Sequence, residues 1–90
     1  MILGKVVGTV WATRKDESLT GLKLQIVKHV DLNYNVKENF LIAVDSVGAG
    51  VGEIVLVATG SSARLTSVTK NKPVDAVIMA IVDKLDVVSD

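Results

Sequence analysis

The side chains best equipped for proton transfer in this 90-residue chain are one histidine, His29, and five carboxylates near the ends of apolar runs: Asp45, Glu53, Asp75, Asp83 and Asp86. Acid–base catalysis needs such groups paired and poised near the working pH. Carboxylates at strand ends serve more commonly as turn residues or cation partners. His29 falls on the less apolar side of an alternating run, the place of a solvated or hydrogen-bonded surface histidine. One histidine per chain cannot assemble a His-rich metal site, and with no cysteine there is no thiolate ligation of zinc. The expectation is therefore a non-enzyme with no catalytic residues, no metal and no cofactor.

Two glycine-rich turns carry the other chemical signal. Gly48-Ala49-Gly50-Val51-Gly52 is a GxGxG run with Glu53 where the third glycine of GxGxxG would stand. A strand follows it instead of a helix, and no Gly-Lys-Ser/Thr is present, so the helix N-terminus that holds a pyrophosphate is missing. The second turn is Gly60-Ser61-Ser62, closed by Ala63 and Arg64. A single Gly or Asn suffices to reverse a hairpin. Two such turns bracketing one short strand imply backbone that comes close to another subunit, an axis or a ligand. Arg64 has two readings: a guanidinium paired with a local carboxylate, or a fixed contact across a subunit boundary, which its planar five-donor fork suits better than Lys.

The elements that position these turns are read from alternation. Ile2 to Ala12 is β-branched and interrupted by Gly4 and Gly8, a strand with bends or a bulge. Thr13 to Ser18 is a charged loop. From Leu22 to Val30 the pattern has period two, with Leu22, Leu24, Ile26 and Val30 on one face and Lys23, Gln25, Val27 and His29 on the other. Asp31 to Asn35 reads as a turn. A third strand turns Phe40, Ile42 and Val44 one way and Leu41 and Ala43 the other. The fourth, Glu53 to Thr59, is apolar on both faces, so a barrel interior covers one side and a neighbour the other. Ser61 or Ser62 is placed to cap one helical turn through Leu65. Thr66 to Pro73 reads as a mobile polar loop, and Val74 to Val88 as a last strand broken near Asp83-Lys84. Five strands and one short helix predict a mainly β fold, a small, partly open OB-type barrel occupying residues 1–90 as a single domain.

Bulk properties limit the partners. A chain this short buries only about 60–65% of its unfolded surface, yet 49% of its residues are hydrophobic. Part of that apolar surface is expected to be covered in an oligomer. Ten basic residues balance ten acidic ones, and the only aromatics are Trp11, Tyr34 and Phe40. An OB-type module for single-stranded nucleic acid or a small anion is the competing reading. It would need a basic groove and stacking rings, and neither is evident. The N-terminus is a poor signal peptide and no apolar run approaches the ~20 residues of a membrane span. The expectation is a cytoplasmic protein without nucleic-acid or membrane partners.

The motifs in order are Gly8-Thr9-Val10 with Thr13-Arg14-Lys15, Leu19-Thr20-Gly21-Leu22-Lys23-Leu24, Asp45-x-Val47-Gly48-Ala49-Gly50-x-Gly52-Glu53-x-Val55-Leu56, Gly60-Ser61-Ser62-Ala63-Arg64, Pro73-Val74-Asp75-Ala76 and Ile81-Val82-Asp83. This series resembles the EutN/CcmL family, the pentameric vertex proteins of bacterial microcompartment shells, over nearly the whole chain. The resemblance implies a five-stranded barrel that forms a cyclic homopentamer at the fivefold corners of a shell otherwise tiled by hexameric and trimeric shell proteins. It also implies that Gly48, Ala49, Gly50, Gly52, Glu53, Gly60, Ser61, Ser62 and Arg64 lie at subunit contacts or a narrow central pore. One departure is Ala80, preceded by Met79, where the family commonly has Gly before Ile-Val-Asp.

Overall fold

The structure, a computed structural model, describes residues 1–88. Its five strands are β1 (Ile2–Val10), β2 (Leu24–Val30), β3 (Val36–Asp45), β4 (Ile54–Thr59) and β5 (Ala76–Val82). They join in the order β1-β2-β3-β5-β4 to form a closed barrel. The expected barrel was partly open. A short parallel seam closes it, in which Val44 pairs with Val77 and Asp45 with Ile78. Every other pairing is antiparallel. In place of one short helix there are two 3₁₀ turns, Glu17–Leu19 and Gly60–Arg64.

Local chemistry sets the connections. Asp31 holds the β2–β3 turn: its Oδ1 accepts the N–H groups of Asn33 at 2.8 Å and Asn35 at 3.0 Å, and Tyr34 adopts a positive φ of 65°. The N–H of Asn35 is the leading reason that the Asp31 carboxyl is held down to about 2, with the Asn33 N–H, the Asn35 side chain and Lys37 adding to it. In β1 the register slips between Val6 and Gly8, making Val7 the extra residue of a bulge. Gly4 is where two strands come closest, since a Cβ there would collide with Val27 Cγ1 and stand 2.9 Å from the Lys28 carbonyl oxygen. A second bulge loops out Met79, so that Ala80 pairs with Leu56. The departure at Met79-Ala80 is thus absorbed within an intact β4–β5 ladder.

Apolar packing occurs in two places. Inside the barrel, Val6, Val27, Ala43, Val55, Val57, Ala76 and Ile78 form the core with Ala49. Outside it, Val44, Ala58 and Val77 are covered by Ala63 of the second 3₁₀ turn, with Leu22, Leu24 and Val74 alongside. The second cluster accounts for a reversal in β2 and β3. The interior takes Gln25 and Val27 from the less apolar face, while Leu24 and Ile26 point outward. Leu41 and Ala43 likewise face in, and Phe40 and Ile42 remain exposed. His29, on the inward-facing side but only half-buried, shares a 3.1 Å hydrogen bond with Asn39 Nδ2.

Thr66 to Pro73 is pinned in the structure. Fully buried Thr69 donates its hydroxyl to the Ala63 carbonyl at 2.6 Å and its N–H to Thr66 Oγ1 at 3.0 Å. Turn bonds from Lys70 to Thr66 and from Lys72 to Thr69 complete the loop. After Val82 the chain leaves the sheet, so the last strand ends just before Asp83-Lys84 and does not resume among the described residues.

Candidate functional site

The loop from Asp45 to Glu53 is organised by the two carboxylates at its ends. Asp45 Oδ1 accepts the N–H groups of Val47 at 3.0 Å and Gly48 at 2.9 Å. Glu53 Oε1 accepts the N–H of Gly50 at 2.7 Å, and the Gly52 N–H donates to the Val6 carbonyl at 2.7 Å. Gly48 and Gly52 have φ of +79° and +95°, the left-handed region that a side chain disfavours. Gly50 does not need that freedom; an added Cβ would only reach contact with Glu53 Oε1 at 3.4 Å. The N–H groups of Val47, Gly48, Gly50 and Gly52 already donate to the protein, so the glycine amides that would cradle a phosphate are taken. Asp45 and Glu53 would also repel an anion, and both observations count against the small-anion reading at this loop.

A buried side chain that the motifs did not single out supports the loop from beneath. Gln25, 1% exposed, donates from Nε2 to the Ala49 carbonyl at 2.8 Å and lies 3.5 Å from Asp45 Oδ2. Its Oε1 accepts the Thr9 hydroxyl at 2.8 Å. Ser46 adds a 2.6 Å bond to the Ile78 carbonyl. Three strands, β1, β2 and β5, therefore fix the backbone of one loop. The available signal was a lone amide at an alternating position shared with Val27.

The second glycine turn lies at the other end of β4, roughly 20 Å away by the rise of a six-residue strand. Gly60 has φ +71° and donates its N–H to the Asp75 carbonyl at 2.8 Å. Neither serine caps the turn from its N-terminus; Ser62 donates its hydroxyl back to the Thr59 carbonyl at 2.9 Å. Arg64 makes one 3.3 Å bond from Nη1 to the Val74 carbonyl, and among the described residues no carboxylate lies within ion-pair distance of it. The local-carboxylate reading of Arg64 thus finds no partner among the described residues, and the side chain is exposed with one hydrogen bond. Gly60, Ser61, Ser62, Arg64 and Leu65 are all exposed, whereas Ala49 is fully buried. The nine expected residues consequently form two clusters at opposite ends of β4.

The β2–β3 face, where an OB-type barrel would take a single strand, pairs Ile26 with Ile42 and Lys28 with Phe40. It offers one aromatic ring, while Trp11 and Tyr34 lie outside the strands. A stacking platform needs successive rings along a basic groove, and this surface is aliphatic. Among the described residues there is also no cluster of His, Asp and Glu able to hold a metal ion.

A closed five-stranded barrel with two rigid glycine turns on one strand and an apolar exterior defines a small packing module of OB type. Residues 1–83 match the family described as ethanolamine utilisation protein EutN/carboxysome, and the chain belongs to that family. The bacterial microcompartment shell vertex protein GrpN of Rhodospirillum rubrum is 44% identical over 89 residues, covering 99% of this chain and 100% of GrpN. The carboxysome shell vertex protein CcmL of Synechocystis is also 44% identical over 89 residues, covering 99% of this chain and 89% of CcmL. Among solved structures, CcmL of Nostoc superposes with a TM-score of 0.91 at 44% identity, covering 94% of this chain and 92% of that one. The GrpN structure, described as a pentameric microcompartment shell protein, gives 0.86 at 44% identity over 99% and 100% of the two chains.

Proposed function

We propose that this chain forms cyclic pentamers that occupy the fivefold vertices of a bacterial microcompartment shell in the cytoplasm, acting as a structural component and not as an enzyme. The observation that carries the reading is the end-to-end likeness to a pentameric shell protein, with no part of the relative left uncovered. The action is geometric. A flat layer of sixfold units cannot close, and substituting a fivefold unit at each corner forces the curvature that closes it. Hexameric and trimeric shell proteins are the partners this role requires, and residues 1–90 act as one domain.

A cyclic ring is heterologous, so each subunit must present two different, complementary patches. Phe40, Val51 and Leu65 are large apolar side chains left exposed on the single chain, and such patches would be covered by neighbouring subunits. The two glycine turns fit this role because their backbones are fixed and their side chains small. Gly48, Ala49, Gly50, Gly52 and Glu53 would meet a neighbour or the axis at one end of β4. Gly60, Ser61, Ser62 and Arg64 would do so at the other, with the free donors of Arg64 aimed across the boundary. Co-expression with the hexameric shell proteins of the same operon tests the role: closed polyhedra with this chain and open or elongated assemblies without it are expected. Equal closure in both cases would overturn it.

A further inference from the structure

The exposed tryptophan just beyond β1 is not absorbed by the glycine turns. Trp11 is 88% exposed, and with Lys15, Gly21, Leu22 and Lys23 it lines a hollow of about 360 Å³. The hollow's lining contains two lysines and no carboxylate, and among the described residues neither lysine has an acidic partner within 4 Å. A large aromatic beside unpaired cations is the kind of anchor point from which interfaces draw most of their energy.

A complementary segment exists elsewhere in the same chain. Asp83 to Val88 (Asp-Lys-Leu-Asp-Val-Val) follows β5 without regular secondary structure, with Asp83 the last residue matched to the family. It combines two carboxylates and one lysine with apolar residues, and Val88 is 89% exposed. Its internal pair, Lys84 to Asp86 at 3.7 Å, is almost wholly solvated and so contributes little. The segment cannot fill the hollow of its own subunit. It leaves the barrel where Val82 pairs with Ile54, while Trp11 follows Val10 at the far end, the end where Leu24 pairs with Val44 and Val44 with Val77. The Leu85 N–H is also tied to the Tyr34 hydroxyl at 3.1 Å, beside the β2–β3 turn.

We infer that the hollow at Trp11 receives the Asp83–Val88 segment of a second copy of this chain, with Val87 and Val88 against the indole and Asp86 facing Lys15 and Lys23. This rests on the ring reading above and deepens it: acidic tail and basic hollow are the two unlike patches a head-to-tail ring needs. Attraction between them sets orientation as well as affinity.

Trp11 is the only tryptophan, so its fluorescence reports the hollow directly. The full chain is compared with a chain ending at Asp83, ring size being read separately by native mass spectrometry. In the full-length pentamer, Trp11 is expected to emit to the blue of free tryptophanamide and to resist acrylamide quenching. Shortening the chain shifts emission to the red and raises quenching, and excess peptide of sequence 83–88 reverses both changes, whether or not the shortened chain still forms rings. A full-length pentamer whose Trp11 emission does not change on shortening overturns the tail contact and leaves the ring standing. Failure of the peptide to protect Trp11 in the shortened chain also overturns it. A full-length monomer overturns both readings.

Discussion

Gln25→Leu removes the side chain that ties the Asp45–Glu53 loop to the barrel while changing interior volume little. The amide makes two short bonds, to Thr9 Oγ1 and to the Ala49 carbonyl, in a position that is 1% exposed. Each such bond contributes about 0.5–1.5 kcal/mol net, and a buried polar group left without a partner costs about 1–3 kcal/mol. Leucine leaves the Ala49 carbonyl stranded, whereas the half-buried Thr9 hydroxyl can turn toward water. The expected loss is about 2–4 kcal/mol, or about 10 °C or more in Tm for a domain of this size. Urea unfolding at matched protein concentration measures it, because the stability of an oligomer depends on concentration. The midpoint should fall with the slope unchanged. A double-mutant cycle isolates the mechanism: Thr9→Val should cost clearly less in the Gln25→Leu background than in the parent, by about 0.5–3 kcal/mol. A Gln25→Leu loss below about 0.5 kcal/mol, or Thr9→Val costing the same in both backgrounds, would refute the reasoning, since buried pairs are where mutational losses concentrate.

Three further outcomes are expected. Gly4→Ala drives a methyl into Val27 Cγ1 and to 2.9 Å from the Lys28 carbonyl oxygen, and should destabilise by about 1–3 kcal/mol in the same assay; a neutral result would mean that β1 and β2 can separate at that point. Asp31, held down to about 2, contributes stability that is fully present above about pH 4 and lost as pH falls through about 2, because the unfolded carboxyl takes its proton first. Asp31→Ala should therefore destabilise at neutral pH and show less further loss than the parent on acidification from pH 4 to 2; parallel acid profiles would remove Asp31 from the account. Ser62→Trp places bulk on the exposed surface of the second glycine turn and should abolish the pentamer while circular dichroism shows a folded barrel; an unchanged ring by sedimentation would take Ser62 out of the contact.

The strands were legible because β-branched residues alternate and because Gly, Asn and Asp mark the turns between them. Their facing was less so. Alternation separates Leu24 and Ile26 from Gln25 and Val27 without saying which pair faces in, and it marks an apolar exterior on β4 but not on β2 or β3. Val44, Ala58 and Ala63 bury a second cluster outside the barrel, and Phe40 and Ile42 continue the band into solvent. The Thr66–Pro73 loop reads as unstructured since its residues are polar, but the Thr69 hydroxyl is consumed by Ala63, a contact set by where the 3₁₀ turn sits. For the candidate site, glycine content pointed to both turns. The separation of the turns by the length of β4, and the amide that fixes the first of them, depend on strand pairing that no local motif encodes. Asp45 and Glu53 were expected as turn residues, and their bonds to the loop amides give that role a physical form.

Native mass spectrometry of the purified full chain at micromolar concentration tests the central claim most directly. The account predicts a dominant species with five times the 9.5 kDa mass of one chain. A stable monomer at 9.5 kDa, or a ring of any other size, would contradict it.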